Sequence, residues 1–133
     1  MRVFVYWNLH QGLWSVKALE GPKRGLVIAR LPEVYLSLPV GKVSEAGRQR
    51  VLREQKKNVH AGITGHLWHP PRGPNGPTVE VTYNPYKYAS FVYKATEAPL
   101  QEGHQWARLS TTPETGKGRV EVNQESWLPG HPL

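Results

Sequence analysis

Apolar and polar residues alternate along most of this chain, and the alternation predicts a β-rich fold. From Arg2 to Asn8, Val3, Val5 and Trp7 fall on one face and Phe4 and Tyr6 on the other, the two-sided apolar pattern of a central strand. Asn8 to Gly12 reads as a turn. Leu13 to Leu19 then sets Trp14, Val16 and Ala18 against Ser15 and Lys17, a half-buried strand. After the Glu20–Gly25 turn, strands are expected at Leu26–Leu31 and Val34–Val40, broken near Pro32. In the second of these Val34, Leu36, Leu38 and Val40 share a face, and Pro39 marks a strand end or an edge.

The period changes at Ser44. Ser44 suits a helix N-cap and Glu45 suits the positive end of the helix dipole, so a helix is expected from Ser44 to about Lys57. At 100° per residue Val51 and Leu52 define its narrow apolar side, while Gly47 weakens its start. Arg50, Arg53 and Lys57 then fall near the opposite side, with Lys56 beside them. Alternation returns from Asn58 to His69. Val59, Ala61, Ile63 and Leu67 are expected to face inward, and His60, Thr64, His66 and Trp68 outward. Pro70–Pro77 (PPRGPNGP) reads as a loop at a hairpin tip, because Thr78–Tyr83 alternates again. Asn84–Lys87 is a turn; alternation places Tyr83 in the core, and Tyr86 and Tyr88 are expected exposed at the turn. Weaker strands are expected at Ala89–Lys94, Gln105–Leu109 and Arg119–Val122. The expected architecture is mostly β (α+β): a small antiparallel sheet or barrel with one short basic helix, forming a single domain over residues 1–123, followed by an irregular tail at 124–133.

Charge sharpens this picture. The chain has 133 residues and a net charge of +7. From Lys42 to Lys57 six cations face two glutamates, a local excess of +4. Positive charge gathered on one element can meet an anionic partner as a unit: nucleic acid, an acidic protein or an anionic surface. All ten acidic residues are glutamate, so the aspartate that many two-metal phosphoryl-transfer sites and aspartyl nucleophiles use is missing. There is no cysteine, which excludes disulfides, thiolate zinc sites and cysteine nucleophiles. The N-terminal run lacks the form of a signal peptide, and no window approaches the ~20 apolar residues of a membrane span. A soluble protein of the cytoplasm, with no membrane partner, is the expectation.

The candidate site follows from the helix and the strand after it. Arg50, Arg53, Lys56 and Lys57 suit successive phosphates, and arginine adds forked hydrogen bonding. Gln49 and Gln55 offer little for reading base edges, so the expected contact is led by the backbone. Trp68, with His60 and His66 on its strand face, has the composition of a stacking platform for single-stranded RNA or DNA. His60 and His66 lie about 20 Å apart along an extended strand, too far to share one metal ion, and no metal or cofactor is implied. A metal-independent ribonuclease would use His60 or His66 as acid or base, with Arg50 or Arg53 on the phosphorane; no spacing identifies such a site. No GxxxxGK[ST], GxGxxG, HExxH or GxSxG motif occurs, and no residue is assigned a catalytic role.

The runs EAGRQRVLREQKKNVHAGITGHL and VTYNPYKYASFV, with the opening VFVYWNLHQGLWSVKALEGPKRG, resemble small proteins of tailed bacteriophages. The resemblance spans most of residues 2–93. It implies an accessory role inside an infected bacterium and assigns no activity, cofactor or site residue. Three functions are therefore expected to compete: a nucleic-acid-binding accessory protein, an inhibitor that docks its basic face on an acidic host enzyme or defence complex, and the small ribonuclease.

Overall fold

The computed structural model describes residues 1–70 and 76–124. Within them the chain forms nine strands and one helix: β1 (Arg2–Asn8), β2 (Leu13–Ala18), β3 (Val27–Leu31), β4 (Val34–Val43), α1 (Glu45–Glu54), β5 (Ala61–Trp68), β6 (Thr78–Thr82), β7 (Val92–Tyr93), β8 (Trp106–Thr111) and β9 (Gly118–Asn123). All strands join one antiparallel sheet in the order β3-β2-β1-β5-β4-β8-β9-β6-β7. The sheet is open; β3 and β7 remain as edges, so of the two expected forms the chain takes the sheet and not the barrel.

The connection from β3 to β4 forces this sheet to curl. Only Pro32 and Glu33 separate Leu31 from Val34, and three Cα–Cα steps reach at most about 11 Å. In a flat sheet β3 and β4 would stand four strand spacings apart, roughly 19 Å. The first five strands must therefore roll up until the end of β3 meets the start of β4. Thr111 Oγ1 donates to the Pro32 carbonyl at 3.2 Å and anchors the link to β8.

The roll encloses the core. Val3, Val5, Trp14, Val16, Leu36, Ile63, Ala107, Leu109 and Val122 are buried on the inner face. Trp7 and Trp14 lie opposite each other in the β1–β2 pair and meet edge to face at 5.1 Å. They press on Gly118 of β9, where an added Cβ would stand 2.7 Å from the Trp7 ring and 2.9 Å from the Trp14 ring. Trp14 Nε1 donates to the Ser110 carbonyl of β8 at 3.0 Å. Strands far apart in the sheet order thus touch through one indole pair.

A second buried feature ties the far edge down. His104 is fully buried. Its Nδ1 lies 2.8 Å from the Asn123 carbonyl, which can only accept, so Nδ1 carries the proton and Nε2 accepts from the Tyr93 hydroxyl at 2.8 Å. Tyr93 Oη in turn accepts from the Gln101 amide. Burial raises the Tyr93 pKa above the ordinary phenol value, which keeps this donor protonated.

Four expectations are corrected. Leu38 does not face inward: it has a left-handed backbone, φ 51, and is 61% exposed. This bulge lets β4 bend and continue to Val43 instead of ending near Pro39, and the β4–β5 register shifts between Ser37 and Val40. The helix stops at Glu54, because Gln55 adopts the left-handed conformation and caps it on the Val51 carbonyl; Lys56 and Lys57 lie beyond it. Val59 precedes β5 and is 57% exposed. Finally, β5 pairs with β1 and β4, while β6 pairs with β7 and β9, so Pro70–Pro77 does not close a hairpin. Within that loop residues 71–75 lie outside the described residues, as do residues 125–133 of the expected tail.

The packing at β9 makes one outcome specific. Gly118→Ala is expected to destabilise the fold by about 1–3 kcal/mol, the usual cost of overfilling a packed site. Equilibrium denaturation checks this, and unchanged stability would mean that the indole pair does not seat on β9.

Candidate functional site

The helix is held at the start of β5. Ser44 accepts from the Gly47 amide as the N-cap, and its own N–H donates to the His60 carbonyl at 2.7 Å. Gly47 lies directly on His60: a Cβ there would stand 2.5 Å from the His60 Cβ. Val51 is buried beneath the helix. Arg48, on the same side, reaches across to donate to the Pro85 carbonyl at 3.0 Å and pairs with Glu45. Hydrogen bonding from Gln49, with the nearby Arg48 charge, holds the Glu45 carboxyl below its ordinary pKa. The opposite side of α1 carries Arg50 and Arg53, both exposed.

His60 does not join an open platform. Its Nδ1 faces the Asn58 carbonyl at 2.7 Å, so that nitrogen donates and Nε2 accepts from the Tyr83 hydroxyl at 2.7 Å. Burial raises the Tyr83 pKa, and its ring packs on Phe91 at 5.2 Å. Both nitrogens of His60 are therefore engaged: Nδ1 with Asn58 two residues before it, and Nε2 with Tyr83 of the β6–β7 connection. His66 and Trp68 do face outward from β5, as the alternation predicts. His66 is exposed and lies opposite Arg2 and Ser37, whereas Trp68 is half-buried edge-on against Tyr35 at 6.3 Å. Seven residue steps separate Ala61 from Trp68, about 23 Å, and α1 sits at the Ala61 end. Arg50 and Arg53 thus stand on α1 and Lys56 and Lys57 just beyond its end, all exposed, while His66 and Trp68 lie toward the other end of β5.

A different group of side chains lies next to α1. Phe4 and Tyr6 occupy the outer face of β1, their rings 6.0 Å apart. Phe4 stands opposite Lys17 of β2 and covers Gly62, where a Cβ would come within 2.5 Å of its ring. Lys42 of β4 stands opposite Gly62. Phe4, Tyr6, Lys17 and Lys42, with Val27, Ser44, Val59 and His60, line an open groove of about 550 Å³, and no carboxylate among the described residues lines it. Position in the fold, not a motif, assembles this group; its only trace in the sequence is that both faces of β1 are apolar.

The charge is divided just as unevenly. Residues 1–57 hold eleven Lys or Arg against four Glu, and residues 58–133 hold six against six. The entire excess of +7 therefore belongs to the segment that forms β1–β4 and α1. Among the described residues Lys94, Arg108 and Arg119 are held in ion pairs with Glu80, Glu33 and Glu121. On the basic segment Arg48 alone is so held; Lys17, Lys42, Arg50, Arg53, Lys56 and Lys57 are in no ion pair among the described residues. No three His or Glu side chains there converge as a metal site, and no helix there is long and apolar enough to cross a membrane.

Comparison with known proteins agrees with the phage resemblance. The family model described as Mycobacterium phage L5 gene 82 protein matches residues 1–120. The chain belongs to this family. The gene 82 protein of Mycobacterium phage L5 is 44% identical over 107 residues, covering 75% of this chain and 83% of the relative. No solved structure matches. The family match spans every strand from β1 to β8 and the start of β9, so it takes in α1 and all the side chains of the groove.

The seat of α1 yields a test of sign. Replacing an exposed helical glycine by alanine ordinarily gains about 1 kcal/mol. Gly47→Ala is expected to lose stability instead, because the new methyl meets the rigid His60 Cβ. A thermal melt showing a higher Tm would mean that α1 does not rest on His60.

Proposed function

We propose that this protein binds nucleic acid, preferring single strands, inside the infected bacterium. Arg50, Arg53, Lys56 and Lys57 supply the phosphate contacts at the end of α1. The observation that carries this reading is the unneutralised charge: the whole excess of +7 falls in residues 1–57, where, among the described residues, a single arginine is paired with glutamate. A polyanion gains most from such a face, because each phosphate it engages releases a counterion. Spread over exposed side chains, the contacts are to the backbone and carry little sequence preference.

An acidic host protein is the second reading. What favours it is the exposed apolar side chains Leu26 on the basic segment and Val59 just beyond its end, since a protein interface combines apolar anchors with complementary charge. The ribonuclease reading draws no support from the geometry. His60 spends both ring nitrogens on Asn58 and Tyr83, and His66 lies well along β5 from the α1 cations.

Salt dependence tests the proposal. Affinity for a single strand is expected to fall steeply with salt, and replacing Arg50, Arg53, Lys56 and Lys57 together by glutamine is expected to reduce the log–log slope by up to about 3, at ~0.7 per phosphate. Fluorescence anisotropy across a salt series measures both. Binding that ignores salt would end the proposal, and capture of a host protein from nuclease-treated lysate by the wild type but not the glutamine variant would favour the second reading.

A further inference from the structure

We infer that the groove beside α1 is a base-stacking subsite, in which one unpaired base lies on Tyr6 and Phe4 while the phosphates on either side of it meet Lys17 and Lys42. This rests on the nucleic-acid reading above and adds to it a site on β1, β2 and β4 outside the helix. The groove has the chemistry such a ligand needs. Its floor is aromatic, with the two half-exposed rings of Phe4 and Tyr6 side by side on the outer face of β1. Its flanks are cationic, because Lys17 stands opposite Phe4 and Lys42 lies one strand beyond Gly62, which Phe4 covers. Among the described residues no glutamate lines it, so none of them repels a phosphate in the groove or neutralises the lysines. Its volume of about 550 Å³ falls in the range of small-ligand sites.

The same features select a single strand. Stacking needs the flat face of a base, which a duplex keeps covered by the neighbouring base pair. An aromatic floor between cations is therefore of use to an unpaired base and of little use to a helix, which presents only phosphates and groove edges. Gly62 makes the floor possible: with no side chain there, the Phe4 ring lies down against the sheet. Val59 and His60 form the wall nearest α1, and Lys57 precedes Val59 by two residues, at most about 7 Å of chain. A strand leaving the groove on that side runs directly onto Lys56, Lys57 and the end of α1.

The experiment compares two strands of equal length and charge, a short fluorescent oligothymidylate and its fully abasic counterpart. Wild-type protein is expected to prefer the thymidylate strand by about tenfold, the contribution of one stacked base. Tyr6→Ala is expected to abolish that preference without weakening the abasic strand, Tyr6→Phe to keep it, and Lys17→Gln with Lys42→Gln to weaken both strands. Unchanged melting temperatures show that the variants fold. Equal binding of the two strands by the wild type, or an undiminished preference in folded Tyr6→Ala, overturns the subsite and leaves the salt-dependent α1 contacts standing. Failure of the wild type to bind either strand overturns both.

Discussion

The Pro32–Glu33 link and the Trp7–Trp14 pair together set the shape of this molecule. The link brings the edge strand β3 to the central strand β4, which a flat sheet forbids. The indole pair makes the resulting curl favourable by filling the space between β1–β2 and β8–β9. A fully buried indole removes on the order of 150–250 Å² from water, which at about 25 cal/mol per Å² is at most about 4–6 kcal/mol. That is comparable to the whole stability of a small domain, so the contact with Gly118 and the hydrogen bond to Ser110 decide whether the sheet closes on its core. Once it does, Val3, Val5 and Val16 on one side and Leu109 and Val122 on the other share one interior.

The curl also sorts the charges. Strands late in the chain carry cations and glutamates in balance, and they cross-link: Arg119 reaches Glu80 and Glu121, and Lys94 reaches Glu80. Such exposed pairs add little stability, but they leave this side of the molecule electrically quiet. The early strands and α1 have few carboxylates to spend, and Arg48 uses Glu45 within its own helix. The remaining cations there form no ion pair among the described residues. An uneven surface of this kind gives an anion a direction of approach before any contact forms, and the groove at Phe4 and Tyr6 lies on that side.

Two histidines serve the fold. His60 and His104 each have both ring nitrogens hydrogen-bonded within the protein, and each pins a connection to the sheet: α1 to Tyr83 in one case, the β7–β8 link to β9 in the other. His104 lies in EGHQW, where no alternation marks a core position, so nothing local betrays that it is fully buried. His60 reads from the sequence as a strand-face residue beside His66, yet it precedes the strand and sits under the helix. His104 is fully buried and His60 half-buried; both are structural, because an imidazole drawn away from water needs partners for its ring nitrogens.

Local pattern was sufficient for much of this. The strands β1, β2, β3 and β6 stand where period-two alternation puts them, because a residue's face in a strand depends only on its own position. The helix start is legible from Ser44 and Glu45, since capping is a local hydrogen bond, and the exposure of Arg50 and Arg53 follows from their angle to Val51. The concentration of charge before Asn58 is equally a property of the sequence. What only the tertiary structure decided are the relations between distant segments. That α1 lies at the far end of β5 from Trp68, that Leu38 turns outward to let β4 bend, and that Phe4, Tyr6, Lys17 and Lys42 share one groove all depend on strand order and curl. Those are set by long-range packing of Trp7 and Trp14 on Gly118, an interaction between residues about a hundred positions apart that leaves no trace in any local period.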